Sequence, residues 1–418
     1  MDTKVPAEAR LDDTRHLLVA RASLPDGDPP EVVRDFFGTV ITPEESASGP
    51  YDLTGKTVYL YGDPVEAAEG RLRSAERVLV VGDPADDHPH GTPGPTAWTR
   101  VDAGRVPRRV HGVGVYYPRF FAPEEDHFAR IRAEHAFQSL TESTKPGTAH
   151  RSGIYLTPVT RDADGLHFRL LRCSTNFTGP TEGFGPTDAR IVDALRHEAA
   201  AVFHEGAAPL NHVLAQIYHN TAATEGRRQS KARISSHADK TKDMPVGGIM
   251  AFCTFYDGLD ALRPLPGDPF DLGVKSTSGL TRLHFRLKDG AREESGLGAP
   301  LPERFALTLH PGSVFLMPLS TNRLYTHEIR PSTLEAGLLP TRLGYVVRCS
   351  KTEAVHRDGR THLKSADGRT VPLAPPTEAG MADLRRLYAE ENTSAAPVDY
   401  GDRFRFSMNS GDYRAPRP

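Results

Sequence analysis

Between residues 211 and 349 the chain carries eight short apolar runs in close succession, and that feature constrains the fold more than any other. They are 211–218 (NHVLAQIY), 232–238, 247–256 (GGIMAFCTFY), 280–288 (LTRLHFRLK), 304–309 (RFALTL), 313–319 (SVFLMPL), 323–330 and 341–349 (TRLGYVVRC). Each reads as a strand bounded by turns, with HPGS at 310–313 the tightest of them. Glycine and proline, 37 and 35 of 418 residues, favour short strands and turns over long helices. Eight such strands with two helices before them imply an antiparallel jelly roll with helical support, an α+β fold.

The flanks are organised differently. A short helix is expected near Glu31–Phe37. Residues 57–61 (TVYLY) and 77–82 (RVLVVG) read as buried strands joined by a helix over 64–76 entered at Pro64, a small β-α-β unit. No GxGxxG follows VLVVGDP, so the unit reads as a structural accessory rather than a nucleotide site. Asp86, Asp87, His88 and His90 cluster in a loop at 84–109 that reads as solvated. Residues 112–118 read as a strand, and 127–142 as a helix with Ala129, Ala133, Ala136 and Leu140 on its apolar face. Residues 152–158 and 166–173 alternate like a hairpin, and a second helix over 187–204 starts from Thr187 as N-cap, with Asp188 in its first turn. A charged hairpin or loop at 351–376 and a helix at 377–391 complete the chain. The expected division is an accessory unit at 1–120, the strand-rich domain with its preceding helices at 121–355 and a C-terminal extension at 356–418.

Composition excludes several classes. Fifty-one basic against 54 acidic residues give a net charge of −3, which does not imply a general nucleic-acid surface. No run approaches 18 apolar residues, so no membrane span is expected. Met1–Arg10 carries both signs of charge and no apolar segment, unlike a secretory signal. Cys173, Cys253 and Cys349 are far apart in apolar runs and read as buried thiols. A cytoplasmic location follows as an expectation.

Three elements in the strand-rich region carry chemistry together. His237-Ala238-Asp239 places an imidazole and a carboxylate at i and i+2, which point the same way on an extended segment. His327 comes 88 residues after Asp239, with strand candidates between, as a ligand returning from a distant strand would. Two imidazoles and one carboxylate on one face of a metal leave three positions open, the arrangement of non-haem ferrous oxygenases. A second HxD, His356-Arg357-Asp358, has only His362 behind it and no barrel to follow, so it reads as an exposed loop. Arg342 and Arg348 fall on one face of the last strand with Gly344 between them. Two inward arginines are costly unless an anion meets them, and guanidinium forks suit a dicarboxylate.

HAD at 237–239, His327 and the arginines of RLGYVVR together resemble the Fe(II)- and 2-oxoglutarate-dependent dioxygenases with a double-stranded β-helix (jelly-roll) core. Two arginines six apart are most similar to the AlkB-like branch, over about residues 205–350. The resemblance implies His237, Asp239 and His327 as iron ligands and Arg342, Arg348, Tyr218 and Gln216 as 2-oxoglutarate contacts, with Gln216 standing where that branch has Asn. It further implies Fe(II), 2-oxoglutarate and O2 as reactants, hydroxylation of an unactivated C–H bond, and succinate and CO2 as co-products. Long intervals before His237 and before His327 require extra loops, expected within 258–279 and 289–303. Arg227, Arg228, Lys231 and Arg233 precede HAD, and Arg233, Ser235 and Lys240 are candidate substrate contacts. Three readings follow: a hydroxylase of a small molecule such as an amino acid, nucleoside or biosynthetic intermediate, a nucleic-acid dealkylase, and a non-catalytic jelly-roll binding module. The balanced charge favours the first.

Overall fold

The computed structural model describes residues 8–20, 30–61, 69–82, 98–141, 148–172, 177–294, 301–365 and 367–418. Asp86, Asp87, His88, His90, Cys173 and positions 64–68 of the expected helix lie outside them.

The N-terminal unit is a parallel sheet of β1 (His16–Val19), β2 (Thr39–Ile41), β3 (Thr57–Tyr61), β4 (Arg77–Gly82) and β5 (Thr99–Asp102) in the order β2-β1-β3-β4-β5. Three short helices accompany it, α1 (Glu31–Arg34), α2 (Pro43–Ser48) and α3 (Glu69–Leu72). Leu18, Tyr59 and Phe36 pack on one face, and Leu17, Val58 and Leu72 on the other. A parallel sheet buried on both faces needs continuous apolar strands, which HLLV and TVYLY supply. The unit joins the rest through Glu198, whose buried carboxylate accepts from Tyr117 at 2.7 Å and from Arg77 at 3.3 Å.

An eight-stranded sheet forms the centre. Its strands are β6 (Arg108–Val110), β7 (Gly114–Tyr117), β8 (Gln138–Thr141), β9 (Thr148–Leu156), β12 (His212–Tyr218), β14 (Ile249–Asp257), β20 (Val314–Pro318) and β22 (Thr341–Arg348). Their order is β6-β7-β20-β14-β22-β12-β9-β8. A four-stranded sheet, β13 (Ile234–His237), β21 (Tyr325–Arg330), β18 (Arg282–Leu287) and β19 (Arg304–Thr308), faces it. From β12 to β22 the chain crosses repeatedly between the two sheets, with β18 and β19 a hairpin within the smaller one, so each strand must alternate apolar residues toward a shared interior. Tyr218, Met250, Phe252 and Phe315 meet Leu283, Phe285, Tyr325 and Ile329 there. The opposite face of the larger sheet, with Val213, Ala215, Ala251, Cys253 and Val347, is covered by α4 (His127–Glu134) and α5 (Pro186–Val202). The tight turn between β19 and β20 needs Gly312, whose φ is +76° and whose Cβ would stand 2.1 Å from the Phe121 carbonyl oxygen.

A third sheet orders as β10 (Thr160–Asp162), β11 (Gly165–Leu170), β23 (Thr352–Arg357), β24 (Arg360–Lys364) and β25 (Thr370–Pro372). The expected loop within 258–279 folds as a small sheet of β15 (Arg263–Leu265), β16 (Asp268–Val274) and β17 (Thr277–Ser278). Short helices α6 (Ala291–Glu294) and α7 (Leu319–Leu324) precede β19 and β21, and α8 (Glu378–Thr393) follows β25. Cys253 and Cys349 are buried free thiols. Among the described residues no helix is long and apolar enough to cross a membrane.

Several expectations change, among them the loop expected over 84–109, whose described part carries β5 and β6. The helix expected over 127–142 stops at Glu134, and its buried residues are His127, Phe128 and Ile131 rather than the alanine face. Beyond it Gln138–Thr141 is β8, recruited into the sheet by pairing with β9. The expected hairpin of 152–158 and 166–173 does not form: β9 pairs with β8 and β12, and the RDADG turn joins β10 to β11. The N-cap of α5 is Gly185, whose N–H donates to Asp188 at 2.8 Å, while Thr187 lies inside the helix and binds Glu134. The expected boundary at 355/356 falls within β23, which pairs with β11.

Candidate metal centre

His237 ends β13 and His327 lies directly opposite it on β21. Their rings stand 4.5 Å apart, and Asp239 two residues on brings its carboxylate between them. Asp239 Oδ1 is 3.5 Å from His237 Nε2 and 4.0 Å from His327 Nε2. Ligand atoms of the three all lie within 4.8 Å of one another. His237 Nδ1 bonds the Ser235 carbonyl at 2.9 Å, an outer contact that turns Nε2 toward the other two ligands. The His237 side chain is 32% exposed and that of His327 only 4%, so the opening lies on the His237 side.

Electrostatics favour a cation here. Burial opposes ionisation of Asp239, but Arg348, 2.8 Å away, and the two imidazoles outweigh it and hold the carboxyl far below its usual range. Burial, reinforced by His237, pushes His327 down to about 3, so at neutral pH its ring has the unprotonated form that ligates metals.

The last strand carries Arg348 at the metal end and Arg342 deeper in the roll. Arg342 is 5% exposed, its guanidinium carbon is 3.9 Å from the centre of the Tyr218 ring, and Tyr256 flanks it on β14. Its Nε and Nη2 have no hydrogen-bond partner among the described residues, and no carboxylate there pairs with it. The buried Thr254 hydroxyl, in register with Gly344, is likewise unpaired. A Cβ on Gly344 would lie 2.9 Å from Arg342 Nη1 and 3.2 Å from Tyr218 Cε2, so glycine makes the space in which the guanidinium sits. The Tyr218 hydroxyl donates to Gln216 Oε1 at 3.2 Å. A buried, unpaired guanidinium costs several kcal/mol unless an anion joins it, and the lining beside it fits a carboxylate. These residues therefore fit both a divalent metal and a dicarboxylate.

The remaining expected contacts divide. Arg233 and Ser235 are exposed at the start of β13, beside the opening. Lys240 turns away, donating to the Tyr388 carbonyl of α8 at 3.1 Å, because α8 packs along the segment after Asp239. His356 lies on β23 and Asp358 in the following turn at φ 51°, so that HxD brings no ligands together.

Sequence reasoning missed the residues that fix the ligand segment. Asn322, fully buried on α7, accepts from the Asp239 N–H at 2.7 Å and donates to the Asp239 carbonyl at 2.9 Å. Asn392 of α8 accepts from the Ala238 N–H at 2.8 Å, and Glu391 accepts from the Thr241 N–H at 3.0 Å. Lys288 caps the end of α8 through the Glu391 carbonyl at 2.7 Å. Asparagines after the strands carry no local signal of such a role.

A second group of ligand-type side chains, Glu134, His135 and Asp188, is a structural lock. His135 bonds Asp188 at 2.6 Å and Glu182 at 3.2 Å, Tyr345 donates to Asp188 at 2.8 Å, and Thr187 donates to both Glu134 oxygens. Burial alone would lower the His135 pKa; the two carboxylates outweigh it and raise it to about 9.

No family model matches the sequence, and no curated protein matches it. Solved structures similar to the chain include a Pseudomonas putida prolyl-4-hydroxylase, with 11% identity and a TM-score of 0.29 over 56% of this chain and 91% of that one. OsALKBH1 matches with 12% identity and a TM-score of 0.31 over 58% of this chain and 99% of its own. The non-haem α-ketoglutarate-dependent epimerase SnoN from nogalamycin biosynthesis matches with 14% identity and a TM-score of 0.28, over 64% and 91%. TM-scores near 0.3 do not establish a common fold, so the site's own geometry carries the functional reading.

Proposed function

We propose that the protein is an Fe(II)- and 2-oxoglutarate-dependent dioxygenase built on a double-stranded β-helix, and that it hydroxylates an unactivated C–H bond of a small molecule. The repeated crossing of β12 to β22 between two facing sheets supports that architecture. One observation carries the chemistry: a two-histidine, one-carboxylate cluster shares an interior with a buried arginine that has no counterion among the described residues.

In this reading His237, Asp239 and His327 hold the iron, which when bound supplies the oxidising power that dioxygen and 2-oxoglutarate deliver together. Arg342 receives the distal carboxylate of 2-oxoglutarate, with the Tyr218 ring beneath the guanidinium to hold it in place. Arg348 keeps Asp239 ionised and aimed at the metal position. Gln216 orients the Tyr218 hydroxyl. The apolar walls from Phe252 and Phe285 around His327 exclude water from the metal's inner side. Substrate enters on the exposed His237 side, past Arg233 and Ser235.

The test is release of succinate from 2-oxoglutarate by wild type and by Asp239→Ala, with Fe(II) and air. Wild type should produce succinate even without substrate, slowly, and the variant none. Equal succinate from both would reject the assignment. Absence of succinate from an iron-loaded wild type would leave a jelly-roll binding module as the better description.

A further inference from the structure

The outer face of the four-stranded sheet, behind the metal ligands, concentrates arginine in an unusual register. Strands β18, β19 and β21 send Leu283, Phe285 and Ile329 inward and Arg282, His284, Arg286, Arg304 and Arg330 outward. Arg286 stands directly opposite Arg304, and Arg282 directly opposite Arg330. All four are exposed. Like charges directly opposite on a sheet destabilise it, so two such pairs on one face need an explanation. Glu328 pairs with Arg330, while Arg282, Arg286 and Arg304 have no ion pair among the described residues.

Arg286, Arg304 and Arg330 border a groove of about 520 Å³, lined also by Ser236, His284 and Thr326, with Phe305 on its wall. A second hollow of about 280 Å³ shares Arg286 and Arg304 with it. The two arginine pairs lie four residues apart along β18, about 13 Å at the rise of a strand.

We propose that this groove is the binding site of a compact organic bisphosphate, one phosphate bridging Arg286 and Arg304 and the other meeting Arg330. Guanidinium forks chelate phosphate oxygens bidentately, and an anion between two opposed arginines turns repulsion into attraction. Ser236, Thr326 and His284 add donors for the body of the ligand. The groove volume falls within the range of small-molecule sites. Acidic side chains bound the patch, Glu328 in the middle and Asp289 and Glu303 around the second hollow. That fringe suits a short ligand and opposes a long polyanion lying across the sheet. Ser236 and Glu328 each precede or follow a histidine of the metal cluster in sequence, so the groove and the metal centre share the β13–β21 wall.

The test titrates fructose 1,6-bisphosphate into the iron-loaded full chain by calorimetry at low salt, with melting curves in parallel. Wild type should bind one equivalent and melt at a higher temperature when it does. Arg286→Gln and Arg304→Gln should each weaken binding about tenfold. Each should also raise the melting temperature of the unliganded protein, since it removes one of two facing like charges; weakened binding is then not misfolding. No saturable binding in the millimolar range, or binding unchanged in both variants, would overturn the proposal. So would a lowered unliganded melting temperature in both variants. A short oligothymidylate that binds more than tenfold tighter than the bisphosphate would assign the face to a nucleic-acid strand and overturn it as well. Because none of these readouts involves turnover, they are independent of the oxygenase reading.

Discussion

Asn322→Ala isolates the support of the proposed metal ligands from the ligands themselves. The Asn322 side chain makes two bonds to one peptide unit pair, accepting the Asp239 N–H at 2.7 Å and donating to the Asp239 carbonyl at 2.9 Å, in a fully buried place. Alanine leaves both backbone groups without a partner. Each stranded group costs about 1–3 kcal/mol, so the loss of stability is about 2–6 kcal/mol. Freed of its clamp, the Asp239 backbone also lets the carboxylate swing from its place between the imidazoles. Loss of such outer contacts typically lowers metal affinity about 10–100-fold. Urea unfolding measures the first effect, and titration of Mn(II) followed by the resonance of free Mn(II) measures the second. Asn392→Ala, which removes one half-buried bond to the Ala238 N–H, should follow the same direction with a stability loss under about 1.5 kcal/mol. If Asn322→Ala binds Mn(II) within twofold of wild type, the clamp has no part in holding the ligands and the reasoning fails.

The lock at His135 makes a pH prediction. Its pKa is raised to about 9 in the fold from an ordinary 6.5, so the stability it contributes is complete below about 6.5 and is lost as pH rises through about 9. The melting temperature of wild type should therefore fall across that alkaline range, and His135→Gln should flatten that part of the profile; an identical slope in the variant would refute the assignment. Gly344→Val puts methyl groups where a Cβ already comes within 2.9 Å of Arg342, and should raise the apparent KM for 2-oxoglutarate about tenfold. An unchanged KM would mean that Arg342 is not the anchor.

All eight strand expectations from 211 to 349 coincide with observed strands to within about two residues at most ends, because each is a short apolar run cut by turns. The convergence of His237, Asp239 and His327 was legible for a related reason. An HxD on an extended segment and a histidine near the end of the roll obey strand alternation, so their meeting follows once the strands pair. Arg342 and Arg348 were visible through the same two-residue period. What escaped depends on partners far away in sequence. Residues 138–141 have helical spacing but gain more from pairing with β9. The strand HLLV at 16–19 is short and sits in a polar context, and only parallel neighbours on both sides bury it. Asn322, Asn392 and Lys288 act through individual hydrogen bonds from α7, α8 and the end of β18 that are set by tertiary packing, which no periodicity reports.

In the proposed function, His237, Asp239, His327 and Arg342 together form one site for iron and 2-oxoglutarate. Anaerobic calorimetric titration of 2-oxoglutarate into iron-loaded protein separates the two halves of that site. Wild type should bind one equivalent, Arg342→Leu should retain iron but lose at least about tenfold in 2-oxoglutarate affinity, and Asp239→Ala should lose both. Equal 2-oxoglutarate binding by all three proteins would mean that neither Asp239 nor Arg342 takes part in holding it.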